Sequence, residues 1–191
     1  MKRRDYLKSI LVLGGLGVTS VSVFEWVKLT RHVDTKQILD KRPIIAELAE
    51  MIIPKTDTPG AKDANVHDYV LNIMINCASV KEQNRFVSGI QEIEDYASDK
   101  FGKDFLKCSL KERSEALKHI AEHAGFSTPI LNKINERYLG TPFYPKFKAL
   151  VVEGFCLSKP GATQALAYDY VPGSYEACIP LKPLQKAWAT K

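Results

Sequence analysis

By type and spacing, His119 and His123 are the side chains best suited to chemistry. They stand four positions apart in a stretch of helical periodicity, so they share one face, with Glu115 and Glu122 nearby. Two such imidazoles supply part of a tetrahedral zinc shell. No third ligand stands at a fitting spacing, so solvated helix positions are the expectation. Asp57, Asp63 and Asp68 form an oxygen-rich set that could hold a cation, but they lack the register of an EF-hand loop. The run Thr56-Asp57-Thr58-Pro59-Gly60 reads first as a rigid turn that orders a surface for a partner: Thr and Asp side chains bond nearby amides, Pro59 fixes φ and Gly60 permits a positive φ. The four cysteines, Cys77, Cys108, Cys156 and Cys178, admit more than one complete pairing. Cys77 lies on an apolar helical face and reads as a buried thiol. No His flanks any of the four to act as a base, which argues against a nucleophile.

Cofactor signatures are missing from the sequence. It contains no Gly-rich dinucleotide or phosphate loop, no Cys-x-x-Cys-His haem site, no paired Cys-x-x-Cys and no His-Glu-x-x-His. No catalytic, cofactor-binding or metal-binding residues are therefore expected in this chain. Yet Arg3 and Arg4, followed by Tyr6, Leu7 and Lys8 and then by an apolar run from Ser9 to Phe24, read as a twin-arginine export signal, which addresses folded proteins to a translocase. The run is shorter than the roughly 20 residues of a spanning helix, and Gly14, Gly15 and Gly17 give it the mild hydrophobicity of a signal. Ser20-Val21-Ser22 is a weak cleavage site, so residues 1–28 are either a removed signal or a retained anchor, and the membrane is met only through them. The expected location is the periplasm. Export of a folded chain without a cofactor site points to a partner that holds the cofactor, and hence to an accessory subunit.

Of the five formal positive charges, three come from Lys2, Arg3, Arg4 and Lys8 set against Asp5. The remainder is too small a surplus to suggest nucleic acid. About 165 residues follow the signal, enough for one domain that buries about 70% of its unfolded surface.

Periodicity predicts an all-α fold, a single compact domain of about six helices over residues 34–159 with an extended, irregular C-terminal tail over 160–191. Apolar residues from Asp34 to Ile53 fall mostly on one face, with Pro43 at a start or kink and Pro54 as the stop. A turn-rich loop spans Lys55 to Ala64; helices follow over Val66 to Ala78, with Asn65 as N-cap, and over Lys81 to Phe101. Ser109 and Glu112 form a capping box opening a helix that ends near Gly125. Two more are expected from Thr128 to Tyr138 and from Phe143 to Leu157. Beyond Lys159 the prolines and glycines forbid a long helix, yet Leu166, Tyr168, Tyr170, Val171, Tyr175, Ile179, Leu181 and Trp188 are too apolar for free disorder. Such a tail must lie on its own core or on another subunit.

Two stretches carry a family resemblance. Ile52 to Val66 (IIPKTDTPGAKDANV), with Pro54, Thr56, Asp57, Thr58, Pro59, Gly60 and Ala61, resembles the signature "iIPaTDTPGAkeAgV" of the gluconate 2-dehydrogenase subunit 3 family. Gly161 to Pro180 (GATQALAYDYVPGSYEACIP), with Gly161, Tyr168, Pro172, Gly173, Tyr175, Cys178 and Pro180, is similar to the family's ending "GatqaLrYdpvPGryegCvP". The resemblance implies the small, exported subunit of a periplasmic flavin-dependent sugar or sugar-acid dehydrogenase. It implies that a large subunit binds FAD and oxidises the sugar, that a separate multihaem cytochrome c can pass electrons to the membrane, and that this chain is a non-catalytic escort. It places Cys178 at a family-like position and so implies a disulfide, either to Cys156 or to the large subunit. Where the family tends to Gly-Tyr-Tyr-Thr-Ser-Glu, this chain has Gly154-Phe-Cys-Leu-Ser-Lys159, which alters the surface offered to the large subunit. The alternative reading is a stand-alone periplasmic helical protein, metal-binding or enzymatic, using His119, His123 and the Asp57 loop.

Overall fold

The computed structural model describes residues 30–123, 141–171, 173, 178, 180–181 and 183–189. The twin-arginine segment with Arg3, Arg4, Tyr6, Leu7 and Lys8, the helix expected from Thr128 to Tyr138, and Pro172 and Tyr175 of the tail lie outside the described residues. Among the described residues the fold is all-α.

The span from Asp34 to Ile53 is two helices rather than one. Asp34 caps α1 (Thr35–Asp40), accepting from the Lys36 N–H at 3.0 Å. The chain turns at Lys41, and α2 (Arg42–Ile52) begins with Pro43 in its first turn, where the missing N–H is harmless. Ile44, Ile45, Leu48 and Ala49 bury one stripe of α2, which stops ahead of Pro54 as expected. Next comes α3 (Val66–Asn76). Asn65 does sit at its N-cap, but in the left-handed conformation (φ 52°) and with no side-chain cap bond. The backbone, not the amide side chain, makes that corner.

The longest helix, α4 (Val80–Phe101), opens on a capping box in which Ser79 and Glu82 satisfy each other's amides. It ends at Gly102, whose φ of 65° is the left-handed C-cap that glycine adopts without a steric penalty. A 3₁₀ turn (Phe105–Lys107) buries Phe105. The predicted Ser109–Glu112 box then opens α5 (Leu110–His123), with the Glu112 carboxylate accepting from the Ser109 N–H at 2.7 Å. Those amide bonds, with Lys103 beside them, hold Glu112 down to a pKa of about 2. Finally α6 (Phe143–Leu157) matches its predicted bounds and ends at an extended Ser158, after which a π turn follows (Gly161–Ala165).

One core joins these helices, centred on Ile45, Leu48, Val70, Met74, Ile93 and Phe147. Burial of each such side chain favours folding by about 1.5–3 kcal/mol. Two glycines let helices approach closely. A Cβ on Gly89 of α4 would overlap the Phe143 ring, and one on Gly154 of α6 would overlap the Tyr69 ring of α3. Phe143 then stacks on Phe147 at 5.4 Å, with Phe86 tilted against both. No helix among the described residues is long and apolar enough to cross a membrane.

Candidate functional site

The loop from Pro54 to Asn65 is held from within by two carboxylates of α2. Glu47 and Glu50 are three residues apart and so project from one face. Glu50 accepts from the N–H of Lys55 at 3.0 Å and of Lys62 at 2.8 Å, clasping the loop at both ends. Glu47 accepts from Lys62 Nζ at 2.6 Å and from Arg113 Nη1 of α5 at 2.8 Å. The backbone closes the same knot, Ala61 N–H donating to Ile53 O and Val66 N–H to Ala61 O. Ala61 is fully buried and Gly60 is buried beside it.

Gly60 is required for a reason different from the predicted one. Its φ is not positive. A Cβ there would instead overlap the Glu50 carboxylate, so Gly60 makes room for the clasp. The predicted side-chain-to-amide bonds are present in part: Thr56 Oγ1 accepts from Thr58 N–H and Asp63 from Gly60 N–H, both at 3.4 Å. Thr56 and Asp57 face solvent with Pro54, while Thr58 and Pro59 are half-buried.

The three aspartates considered for a cation are not gathered into a site. Asp63 pairs with Lys55 at 2.9 Å, and that bond holds its carboxyl below the usual range. Asp68 forms a two-pronged bond with Arg42 at 2.9 Å per prong, and its carboxyl is likewise held low. No cluster of three ligating side chains occurs among the described residues.

His119 is not the solvated position expected of it. Its ring stacks between Tyr96 and His123, each 4.3 Å away centroid to centroid, and its Nδ1 is buried without a partner. His123 is exposed and turns its Nδ1 to the His119 carbonyl at 2.7 Å. Tyr96 packs there because Lys100 binds its hydroxyl and pairs with Glu115. Helical spacing put the two imidazoles on one face, but stacking consumes that face. A second half-buried imidazole with an enclosed Nδ1, His67, was not singled out in the sequence; partial burial pushes its pKa down.

All four cysteines are free thiols in the structure, so Cys156 and Cys178 are not bonded to each other. Cys156 is held half-buried on the last turn of α6, while Cys178 is exposed in the tail. Cys77 is also exposed, against the expectation of a buried thiol. Helix α3 stops at Asn76, so Cys77 is a C-cap residue that has left the apolar periodicity.

The tail departs from its predicted form in one respect. Its described residues are irregular, but two of its segments are joined to each other. Ala167 and Trp188 form a parallel β-bridge, with Ala167 N–H donating to Ala187 O at 2.8 Å and Ala189 N–H to Ala167 O at 2.9 Å. Lys186 Nζ adds a bond to Gln164 O at 2.7 Å. The root is fixed as well: Ser158 Oγ donates to Phe155 O and accepts from Gly161 N–H, and a Cβ on Gly161 would overlap the Phe155 carbonyl. Beyond this root several described apolar side chains are exposed. Tyr170 is 85% exposed, Val171 72%, Leu181 86% and Leu184 100%. Gly173, Cys178 and Pro180 are exposed as well, and Tyr168 is nearly half so.

The helix after the loop and the helix before the tail touch each other. Tyr69, in the first turn of α3 just past the loop, packs on Gly154, in the last turn of α6 just before the tail. Its phenol pKa is raised by burial and by a hydrogen bond to Glu153. A cleft elsewhere, lined by Asp40, Ile44, Glu94 and Phe105, is bordered by the satisfied ion pairs Lys41–Glu94 and Lys107–Asp104 and presents no catalytic arrangement.

Sequence reasoning missed Glu50, because nothing local announces that a helical carboxylate will bind amides five and twelve residues onward. It also missed the Ser79–Glu82 box, although the pattern Ser-x-x-Glu was present to be read. A family model described as Gluconate 2-dehydrogenase subunit 3 matches residues 40–173, which include the whole loop, α6 and the root of the tail. No curated protein and no solved structure matches the chain.

Proposed function

The chain belongs to the gluconate 2-dehydrogenase subunit 3 family, an accessory subunit of a dehydrogenase complex, and we propose that it is the non-catalytic small subunit that binds and stabilises a flavin-dependent sugar or alcohol dehydrogenase. On this reading FAD and the oxidation chemistry reside in a large partner subunit, and a cytochrome c subunit can take the electrons onward. The twin-arginine segment carries the folded pair to the periplasm, with the membrane touched only by that segment. The observation that supports the reading is the tail, where Tyr170, Val171, Leu181 and Leu184 are left in water beside a well-buried helical core. An intermolecular disulfide through Cys178, which is exposed, belongs to the same proposal.

Replacing Arg3 and Arg4 together by Lys tests the escort role. The expected result is that the large subunit stays in the cytoplasm together with this chain. A flavoprotein that still reaches the periplasm would remove the escort role.

A further inference from the structure

We propose that His67 is a proton-operated latch on the clasped loop: when its enclosed ring takes up a proton, the half of the loop from Gly60 to Asn65 lets go of α2 while the helical core stays folded. Such a latch belongs to this chain's own loop and works with or without a partner subunit.

Geometry places the ring where a positive charge is poorly served. His67 stands in the first turn of α3, two residues past the loop. Its side chain is 12% exposed, and its Nδ1 is buried without a partner. Its Nε2 is 3.8 Å from Asp68 Oδ2, beyond hydrogen-bond reach. Both oxygens of Asp68 are already bonded to Arg42. A neutral imidazole carries one N–H, whereas the charged ring carries two, and neither finds an acceptor while the loop is closed.

The charges that act on the ring come from three elements: Asp68 from α3, Arg42 from the head of α2 and Lys62 from the loop. Partial burial and the two cations oppose a further positive charge and outweigh the pull of Asp68, so the ring titrates below its ordinary 6.5.

The loop is the neighbour that yields. Helices α2 and α3 are anchored by the fully buried Ile45, Leu48, Val66 and Val70. The loop is held mainly by polar bonds: Lys62 N–H on Glu50 at 2.8 Å, Lys62 Nζ on Glu47 at 2.6 Å and Lys55 on Asp63 at 2.9 Å. A segment held in this way opens before a packed helix does. Its withdrawal takes Lys62 away from the ring and lets water reach both nitrogens. With the loop open the ring titrates near 6.5, and with it closed, lower. Protons therefore bind the open form first, so opening increases as the pH falls through 6.5 and levels off once the closed form is protonated too.

The test is amide hydrogen exchange on the full chain from about pH 8 to about pH 5, corrected for the intrinsic pH dependence of exchange, beside an NMR titration of the His67 ring. The amides of Lys62 and Val66, bonded to Glu50 and to Ala61 O, report the loop, and that of Ile93 in α4 reports the core. The loop amides are expected to exchange faster than Ile93, to be insensitive to low urea, and to lose protection below 6.5. The loss is about tenfold for each pH unit by which the closed loop depresses the ring. In His67→Gln the opening of the loop should no longer depend on pH.

Loop exchange that is flat with pH in the wild type, or that keeps its pH dependence in His67→Gln, would overturn the latch. Loop amides that exchange together with Ile93, with the same urea dependence, would show that the proton acts only through unfolding of the whole chain. An imidazole that titrates at or above 6.5 would remove the penalty that drives the opening. Should His67→Gln fail to fold, the wild type decides alone: loop opening must level off at the pH where the ring of the closed form titrates, and levelling elsewhere would assign the effect to another group.

Discussion

The clasped loop and the tail carry the family resemblance from opposite ends of the sequence, and the structure treats them in opposite ways. The loop is satisfied by its own chain: Glu50 binds its amides, Gly60 and Ala61 are buried, and Glu47 and Arg113 tie it to α2 and α5. In the tail a backbone bridge joins Ala167 to Trp188, but Tyr170, Val171, Leu181 and Leu184 face water. Two motifs of one family thus have different physical grounds. The first is tied into the chain's own core, whereas the second leaves large apolar side chains exposed. Cutting the chain after Lys159 should on this view leave a helical core that folds and no longer holds its partner.

Substitutions that separate folding from binding sharpen the contrast. The largest stability effect is expected in the helical core, where Phe147→Ala should cost about 3–5 kcal/mol in denaturant unfolding, since the side chain is fully buried against Phe86 and Phe143. Glu50→Ala should cost roughly 2 kcal/mol by leaving the Lys55 and Lys62 amides without their acceptor. Gly60→Ala should cost roughly 1–2 kcal/mol by overpacking. In the Glu50→Ala background that penalty should largely vanish, because the clashing carboxylate is gone; a fully additive double mutant would show that the clasp is not what Gly60 accommodates. At the far end of the scale, Leu184→Asp should change the stability of the free chain by no more than about 0.5 kcal/mol while disrupting partner binding. A large loss of stability there would mean the tail packs on its own core.

Titration offers a gentler probe of the clasped half. Glu112, held to a pKa of about 2 against an ordinary 4.5, contributes stability that is complete above 4.5 and is lost as the pH falls toward 2. His67, held below its ordinary 6.5 by burial, contributes in the same direction: full stability above 6.5, declining as the pH falls and the unfolded chain takes up the proton first. Thermal melts across this range should therefore fall in two stages. His67→Gln is expected to remove the upper stage and Glu112→Gln to flatten the lower one.

Most of the helical frame was legible because periodicity and capping are local. The bounds of α6 and the Ser109–Glu112 box came out as read, and Pro43 and Pro54 marked a helix start and a helix stop. What stayed illegible depended on distant partners. Gly60 reads as a residue that permits a positive φ because turn chemistry is the local use of glycine, but a carboxylate ten residues earlier is what its missing side chain accommodates. Cys77 looked buried because the apolar pattern ran one residue past the helix that generates it. The imidazoles of His119 and His123 share one face, yet the ring that stacks on His119, Tyr96, comes from another helix. The bridge in the tail joins residues twenty-one positions apart through backbone groups that every sequence possesses.

The central claim is that this chain is one part of a two-chain unit whose chemistry lies in the other part. Isolating it from its native envelope fraction under non-reducing conditions, with the companion chain quantified and the visible spectrum recorded, tests that claim most directly. The account predicts one flavoprotein at equal stoichiometry with a flavin absorbance, released by Leu184→Asp. A colourless chain that purifies alone would contradict it.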